Sequence, residues 1–441
     1  GPVPAAGPAA RLVHDDAPRT MTERSEREWR PILEGAEAEQ AVATAREIAE
    51  ALPAPGAVDG GDPALAGGDA GVALLYAWLA RAGLGDGERA GPHLEAAIDA
   101  LAEVPLPTAL YGGFSGVAWS AELLQGGAPD DDEDFNADID DALLTHVSQS
   151  PWTTQYDLVS GPVGLAVYAL ERLPRPSAAA LLAEIVARME ETAVRMPGGG
   201  IAWHTSWNLL PEYQRPTFTH GHYNLGVAHG VPGVIAVLGQ AVAAGVAADR
   251  ARPLLDGAVE WLLAQGLPAD ARSRFAYSAS QEVEAAPSRA AWCYGDPGIA
   301  AALLVAARGA GEEAWEREAL RIARSAARRP VEDAGVVDAG VCHGAAGLAL
   351  IYDRVFQATG DEEMRDAARL WTRHTLELRR PGEGVAGFLS FGPPRGGGTS
   401  VWLDDAGLLT GAAGVALTLL AAATPVEPEW DRFLLVSSRF T

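Results

Sequence analysis

A glycine motif that recurs along the chain constrains the fold more than any other feature of this sequence. The pattern Gly-x-x-Gly followed by an apolar run occurs seven times in the 441 residues. Successive motifs lie about 45–50 or about 65–70 residues apart, a spacing that suits a helical hairpin with or without an insertion. The sequence therefore predicts seven copies of one supersecondary unit. Their first glycines are Gly68, Gly113, Gly161, Gly230, Gly295, Gly344 and Gly411.

The runs after the glycine motifs predict helices of two kinds. Runs such as VALLYAWLA and IAAALLVAA are long and rich in Ala and Leu, and they lack the alternation of a strand. Because they are apolar nearly all round, we expect them to be buried on most faces. Charged segments between them, such as EEAWEREALRIARSAARR, predict outer helices with one solvated face.

Inner and outer helices that alternate seven times predict an all-α fold, the (α/α)7 toroid, with seven helices in each ring. An open solenoid is the alternative, but its terminal repeats would need polar outer faces. The seventh repeat is as apolar as the others, which favours a closed ring. We expect the first glycine to adopt backbone angles closed to other residues, and the second to allow a close backbone approach. The motif is thus architectural, and function must come from side chains that individual repeats add.

The composition narrows the possible partners and the compartment. The chain has 59 acidic and 33 basic residues, no lysine, and a formal charge of −26. Such a surface repels phosphate backbones and excludes nucleic acid as a partner, whereas it would attract a cationic peptide or simply aid solubility. No apolar stretch is long enough to span a membrane, and the N-terminus lacks a signal-peptide pattern. These features predict a cytoplasmic protein.

The first 20 residues differ from the rest of the sequence. They are rich in Pro and Ala and precede Met21. We expect residues 1–20 to be disordered or left over from an expression vector, and residues 21–441 to form one domain.

The only two cysteines share one position in the repeat. Cys293 and Cys342 each stand two residues before the first glycine of repeats five and six, and His343 follows Cys342. His229 directly precedes Gly230 in repeat four. Equivalent positions of neighbouring repeats should lie side by side on one rim of the ring. Two thiolates and one imidazole suit zinc, and three protein ligands leave the fourth position open, as in catalytic sites.

Each member of this group also has an ordinary explanation. A cysteine among apolar residues is commonly a small buried hydrophobic side chain, and a lone histidine is commonly a polar group in a loop. The two cysteines could also form a disulfide, although a cytoplasmic protein rarely keeps one. The shared register of both cysteines, with a histidine beside one of them, favours the metal site.

Four segments resemble the lanthipeptide cyclases, the LanC family: YDLVSGPVG (156–164), LGVAHGVPG (225–233), WCYGDPG (292–298) and CHGAAG (342–347). The resemblance extends over all seven repeats, from about residue 40 to about residue 425. It implies a toroid with one Zn²⁺ that closes lanthionine and methyllanthionine rings in a ribosomally made peptide. The reaction would be the Michael addition of peptide cysteine thiols to dehydroalanine or dehydrobutyrine.

The resemblance also assigns roles to individual residues. It makes His229 the acid/base group and Asp157 the aspartate that supports this histidine. Arg289 corresponds to the family's arginine, and we expect it to stabilise the developing oxyanion. Tyr294 corresponds to the family's tyrosine, with hydrogen bonding and packing both possible. The resemblance assigns zinc coordination to Cys293, Cys342 and His343.

Some residues have no counterpart that the resemblance identifies. His220 and His222 are unassigned, and a loop role is expected for both. Trp203 and Trp207 are both candidates for the family's active-site tryptophans. They lie in a poorly helical insertion, residues 198–220, which resembles residues 389–405 in being rich in aromatic side chains. Both insertions are candidates to contact a leader peptide, and both are equally compatible with ordinary surface loops.

The predicted partner is a dehydrated precursor peptide made of leader and core. The chain contains no glycine-rich nucleotide loop with its lysine, so it carries no conventional kinase domain and a separate dehydratase is expected. Two other functions remain open. A related enzyme could add glutathione to dehydrated residues, and a non-catalytic protein could use the zinc to stabilise a scaffold.

Overall fold

The computed structural model describes residues 28–85, 87–125, 134–394 and 397–440, and the residues 1–20 discussed above lie outside these ranges. Fourteen α-helices alternate between an outer and an inner position within the described residues. The outer helices are α1 (Gly35–Ala51), α3 (Ala90–Glu103), α5 (Ala137–Val147), α7 (Pro176–Thr192), α9 (Ala248–Ala264), α11 (Glu313–Ala327) and α13 (Glu362–Glu377). The inner helices are α2 (Asp69–Arg81), α4 (Phe114–Gln125), α6 (Pro162–Arg172), α8 (Val231–Ala243), α10 (Asp296–Ala310), α12 (Ala345–Thr359) and α14 (Ala412–Ala423).

The inner helices form a closed ring. Each one packs against the inner helix of the next repeat, and α14 packs against α2 to complete the circle. The outer helix α1 packs against α14, so the two ends of the described chain meet. The indole nitrogen of Trp29 donates to the carbonyl of Ala421 at 2.8 Å and strengthens this junction. The predicted (α/α)7 toroid is therefore confirmed, and the open solenoid is wrong.

The two kinds of helix are buried as their sequences predict. Every residue from 162 to 172 in α6 and from 412 to 422 in α14 is buried. The outer helix α11 buries only Ala319, Ile322, Ala323 and Ala326 and exposes its charged face. Burying apolar surface drives this arrangement, because only the inner helices are apolar enough to be enclosed by other elements.

The glycines of the motif are required by close contacts more than by special backbone angles. Among the seven first glycines only Gly295 has a positive φ, 118°, so the expected conformational role is wrong for the other six. A Cβ atom on Gly68 would lie 1.9 Å from the carbonyl oxygen of Asp62. The second glycine behaves as predicted, since a Cβ on Gly347 would lie 1.9 Å from the carbonyl oxygen of Val341. Both glycines let the preceding loop fold tightly against the start of the inner helix.

Backbone hydrogen bonds join the loops of successive repeats at one rim of the ring. At the position two residues before the first glycine, the N–H of one repeat donates to the carbonyl of the next. Such bonds hold the rim loops in register, so side chains at equivalent positions lie side by side. The donor–acceptor pairs are Ala228–Cys293 (3.5 Å), Cys293–Cys342 (3.2 Å), Cys342–Leu409 (2.8 Å), Leu409–Ala66 (2.8 Å) and Ala66–Tyr111 (3.0 Å).

A short C-terminal segment, Glu429–Leu434, packs among several inner elements of the ring. The hydroxyl of Tyr111 in repeat two donates to the carbonyl of Phe433 at 2.8 Å. The indole nitrogen of Trp292 in repeat five donates to the carbonyl of Leu434 at 2.8 Å. Because Trp292 directly precedes Cys293, this segment also supports the rim loop that carries the first cysteine.

Besides short 3-10 helices, the described residues contain short antiparallel strand pairs. Strand β1 (Val194–Arg195) pairs with β2 (Ile201–Ala202), β3 (Tyr223–Asn224) with β4 (Ser278–Ala279), and β5 (Ser390–Gly392) with β6 (Val401–Leu403). Strands β2, β5 and β6 lie within the two insertions that the sequence marked as poorly helical, whereas β1, β3 and β4 lie outside them. None of the helices in the described residues is both long and apolar enough to cross a membrane.

Candidate metal centre and its surroundings

Cys293, Cys342 and His343 meet at the rim of the ring. One potential ligand atom from each lies within 4.8 Å of the others. Both cysteines are free thiols, so no disulfide joins them. Tetrahedral zinc with sulfur and nitrogen ligands needs donor atoms about 3.5–4 Å apart, which small side-chain movements provide here. The donor set and its spacing therefore fit a metal ion such as zinc.

The surroundings of this group favour a thiolate. The hydrogen bond with the Cys342 thiol holds the pKa of Cys293 well below its usual range, although burial opposes this shift. His343 and the positive charge of Arg289 lower the same pKa further. The thiol of Cys342, as the partner in this hydrogen bond, has a raised pKa. One thiol of the pair is thus poised to ionise, and metal ligation requires the thiolate form.

A buried aspartate supports the histidine of this group. The Nε2 atom of His343 lies 3.8 Å from Oδ2 of Asp338, which is 2% exposed. Asp338 is held in place by the backbone N–H groups of Gly340 and Phe391, at 3.1 and 2.8 Å. Burial lowers the pKa of His343, but the interaction with Cys293 and the charge of Asp338 raise it above its ordinary value. A carboxylate behind a histidine is a common support for metal ligands.

Sequence reasoning missed Asp338, although a signal for it was present. Asp338 stands six residues before the first glycine of its motif, and the same position holds Asp62, Asn224 and Asp405 in other repeats. In all four loops the side chain accepts a hydrogen bond from the backbone N–H two residues later. Because the four residues make the same turn, the sequence pattern does not distinguish Asp338, which among them also contacts a histidine.

His229 and Asp157 form a hydrogen-bonded pair on the same rim. The Nδ1 atom of His229 lies 2.6 Å from Oδ2 of Asp157. The other carboxylate oxygen accepts the backbone N–H of Ser160 at 2.7 Å, so the aspartate has a fixed orientation. Burial lowers the pKa of His229, but the hydrogen bond and charge of Asp157 outweigh it and raise this pKa. With Nδ1 engaged, Nε2 is the atom left to exchange a proton, and 43% of the histidine side chain is exposed.

Arg289 borders both the metal centre and a cleft. Among the described residues its guanidinium has no hydrogen-bond or ion-pair partner, and its charge lowers the pKa of both cysteines. The cleft has a volume of about 250 Å³ and opens to solvent. An unpaired guanidinium at this place is available to an anionic or carbonyl oxygen of a ligand. The cleft is lined by Arg272, Tyr277, Arg289, Glu332, Asp333 and Gly335.

Tyr294 connects the metal centre with His229. Its ring centroid lies 6.5 Å from that of His229, and its hydroxyl accepts the side-chain amide of Asn224 at 2.9 Å. Burial raises the pKa of Tyr294 to about 12. The hydroxyl therefore stays protonated near neutral pH and has its hydrogen free to donate. Asn224 is a second residue that sequence reasoning missed.

The residues without an assigned role occupy different environments. His220 is an exposed loop residue whose ring pairs with Glu282, in line with the expected loop role. His222 departs from that expectation, since it is only 4% exposed. Trp203 is buried and donates to the carbonyl of Met189, whereas Trp207 is exposed on the surface. Neither tryptophan has a described contact with the three candidate metal ligands.

Comparisons with known proteins agree with this architecture. A family model described as lanthionine synthetase C-like protein matches residues 60–435. The nisin biosynthesis protein NisC of Lactococcus lactis subsp. lactis is 24% identical in a 270-residue alignment, and the match covers 55% of this chain and 61% of NisC. The match thus spans less than two thirds of that relative. A solved structure described as nisin cyclase has a TM-score of 0.69 and 19% identity, covering 91% of this chain and 97% of that one. At this identity the structural likeness shows the shared fold.

Proposed function

Since the chain belongs to the lanthionine synthetase C-like family, we propose that it is a zinc-dependent cyclase that closes thioether rings in a dehydrated peptide. A peptide cysteine thiol adds to the β-carbon of dehydroalanine or dehydrobutyrine. A C–S bond forms, the thiol loses its proton, and the α-carbon gains one, so no leaving group or oxidant is needed. The substrate is a precursor peptide with leader and core that a separate dehydratase has dehydrated.

Cys293, Cys342 and His343 would hold the zinc ion. When bound, zinc at this site supplies an open fourth position that favours the thiolate form of a substrate cysteine at neutral pH. Two anionic cysteine ligands reduce the net charge of the centre and keep a sulfur nucleophile electron-rich. Asp338 orients His343 and stabilises its position through the 3.8 Å approach of its carboxylate.

His229 is the residue that moves the proton in this mechanism. Its Nε2 atom accepts the proton of the substrate thiol and returns it to the α-carbon after the C–S bond has formed. Asp157 holds the imidazole through Nδ1 at 2.6 Å and stabilises its protonated form between the two transfers. The fixed Asp157 carboxylate prevents the ring from turning away.

Arg289 and Tyr294 stabilise the charge that develops on the substrate. Addition at the β-carbon moves negative charge to the carbonyl oxygen of the dehydrated residue. Arg289 lines the cleft, and its unpaired guanidinium donates a hydrogen bond to that oxygen. Tyr294, whose hydroxyl is protonated and within the described residues accepts a hydrogen bond from Asn224, donates to the same intermediate.

The observation that carries the proposal is the convergence of two groups on one rim. The three candidate ligands lie within 4.8 Å of one another. The His229–Asp157 pair joins repeats four and three, and Tyr294, which follows Cys293 in the chain, has its ring centroid 6.5 Å from that of His229. A structural zinc site would not need a partly exposed histidine with a raised pKa beside an open ligand position. We further propose that residues 21–441 act as one catalytic domain, in keeping with the large apolar cluster that includes residues from Ile32 to Val436.

Metal analysis combined with a ring-closure assay tests the proposed function. The purified protein should contain one zinc ion per chain by elemental analysis. It should consume the free thiol of a synthetic peptide that carries one dehydroalanine and one cysteine, and chelation followed by zinc addition should abolish and then restore this activity. Thiol alkylation followed by mass spectrometry distinguishes the ring from the linear peptide, since ring closure alone leaves the mass unchanged.

The same assay separates the alternatives. Excess glutathione that yields a glutathione adduct in place of the ring would assign the protein to intermolecular addition. Stoichiometric zinc without any acceleration of ring closure would assign it to a scaffold role. Ring closure at the same rate before and after complete zinc removal would contradict the role of the metal.

A further inference from the structure

His222 is a buried histidine that the proposed mechanism does not use. It is 4% exposed, and its Nδ1 atom is sealed from solvent without a hydrogen-bond partner among the described residues. An unpartnered polar atom in a protein interior costs free energy, so its presence calls for a physical explanation. The Nε2 atom is not sealed in this way, and no neighbouring group in the described residues engages it.

The backbone pairing of His222 determines which residues share a face with its side chain. His222 pairs directly with Thr205, each N–H donating to the other's carbonyl at 2.9 and 3.0 Å. Directly paired residues, and residues two apart along a strand, share one face. His222 therefore shares a face with Thr205 and Asn224.

Both neighbours on this face contact residues next to the catalytic groups. Tyr156, which precedes Asp157 in the chain, donates its hydroxyl to the carbonyl of Trp203 at 3.2 Å, and although burial raises the pKa of this hydroxyl, the nearby side chain of Thr205 opposes the shift. The amide of Asn224 donates to the hydroxyl of Tyr294, which follows Cys293. His222 thus shares a face with a residue bonded to Tyr294, and it lies near enough to His229 for the charge of that histidine, after burial and His204, to lower the pKa of His222.

The same surroundings keep the ring neutral. Burial, together with the positive charges of His204 and His229, lowers the pKa of His222 to about 4. A neutral imidazole carries one hydrogen, and a sealed lone pair at Nδ1 costs less than a sealed N–H. The hydrogen consequently resides on Nε2, the nitrogen that other groups can reach.

We propose that His222 binds the substrate peptide by donating the hydrogen of Nε2 to a backbone carbonyl oxygen beside His229. This assignment rests on the proposed function, because it requires a peptide in the site. A neutral imidazole is well suited to the task, since it polarises a carbonyl without adding charge next to the histidine that must gain and lose a proton. Phe218, whose ring centroid lies 4.4 Å from that of His222, holds the ring in place from one side.

Three substitutions of His222 distinguish the effect of its hydrogen-bond donor from the effect of its ring shape. His222→Phe keeps an aromatic ring and removes the donor. His222→Gln places an amide near the former Nε2, whereas His222→Asn places it near Nδ1. His204→Phe is the matched control, since His204 is one residue removed from Thr205 and lies on the opposite face of the pairing, against Tyr223.

Two measurements on zinc-loaded protein distinguish this proposal from the proposed function. Ring closure of the dehydroalanine–cysteine peptide by the wild type tests the proposed function alone. The Kd of the same peptide with serine in place of cysteine, which cannot cyclise, tests the His222 contact alone. We expect His222→Phe to lower kcat about 10- to 100-fold or to raise this Kd several-fold, with zinc content and thermal midpoint close to those of the wild type. His222→Gln should recover most of the loss.

Several results would overturn the assignment. Wild-type kcat and Kd in His222→Phe would remove His222 from the substrate contacts. An equal loss in His204→Phe, or loss of zinc in His222→Phe, would show that the residue only maintains local structure. Recovery of kcat or Kd by His222→Asn, and not by His222→Gln, would contradict donation from Nε2. A loss of kcat confined to one end of the pH range would contradict a neutral donor.

Discussion

The rim loops of repeats five and six have the same backbone arrangement as those of repeats seven and one, but different chemistry. Cys293 donates its N–H to Cys342 at 3.2 Å, and Leu409 donates to Ala66 at 2.8 Å, from the same position of the motif. The next position holds Tyr294 and His343 in one pair of repeats, and Thr410 and Gly67 in the other. Repeats five and six offer three side chains that could hold a metal ion, whereas the equivalent positions of repeats seven and one offer no comparable ligands.

This comparison separates the scaffold from the chemistry. The glycine motif and the backbone hydrogen bonds fix where a side chain will lie, and they do so equally in both pairs of repeats. In the proposed function, the residues one and two positions before the first glycine determine whether a rim loop binds a metal, moves a proton or only packs. Substitutions at matched positions of the two pairs of repeats test whether the scaffold and the chemistry are independent.

The largest effect is expected for a proposed metal ligand. Cys342→Ala should lose zinc and reduce ring closure to the uncatalysed rate, because the remaining cysteine and histidine do not complete the site. Leu409→Ala, at the same position of repeat seven, should keep both zinc and activity. Elemental analysis and the thiol-consumption assay measure the two outcomes. A fully metallated Cys342→Ala protein would remove this residue from the ligand set.

A smaller effect is expected at the position directly before the glycine. His229→Ala should retain zinc and lower kcat about 10²- to 10⁴-fold, the usual contribution of a positioned acid/base group. Thr410→Ala, at the same position of repeat seven, should change kcat little. Steady-state kinetics with parallel metal analysis provides the test. Zinc loss in the His229 variant would show that this histidine supports the metal and not the proton transfer.

Glycine substitutions should destabilise repeat six and repeat seven to a similar extent. Gly347→Ala and Gly414→Ala each place a Cβ 1.9 Å from a carbonyl oxygen of the preceding loop. Each should lower the free energy of unfolding by about 2–4 kcal/mol, as strained backbone substitutions do. Gly112→Ala is the control, since its Cβ meets nothing within 4 Å. Denaturant unfolding measures these differences, and a loss restricted to the metal-bearing repeat would refute a purely architectural motif.

The smallest effect is a change of stability with pH. The folded protein raises the pKa of His229 above its ordinary value, so the pairing with Asp157 stabilises the fold fully below about pH 6.5. This contribution is lost as the pH rises through the folded pKa. Asp157→Asn should therefore destabilise the metal-free protein more at pH 6 than at pH 9. In a His229→Gln background the pH difference should vanish, and a difference that persists would assign it to another group.

Much of the candidate site could be predicted because the repeat gives each residue a defined position relative to the motif glycines. Cys293, Cys342, His343 and His229 stand at fixed distances from their glycines, so their common location follows from the register alone. Asp338 could not be found in this way, because its equivalents in other repeats make the same turn without touching a histidine. The same limit applies to His222 and its contacts, since its pairing with Thr205 joins two parts of an insertion outside the repeat.

The sequence by itself determined the number of repeats, the alternation of inner and outer helices, and the rim on which the candidate metal ligands lie. These features follow from hydrophobic patterning and motif spacing, which act over one or two helical turns and recur along the chain. The tertiary structure decided the contacts between segments far apart in sequence: the hydrogen bonds from loop to loop, the packing of residues 429–434 against Trp292 and Tyr111, and the burial of His222. Such contacts depend on the three-dimensional closure of the ring, because only closure brings repeat seven against repeat one and fixes which loops meet.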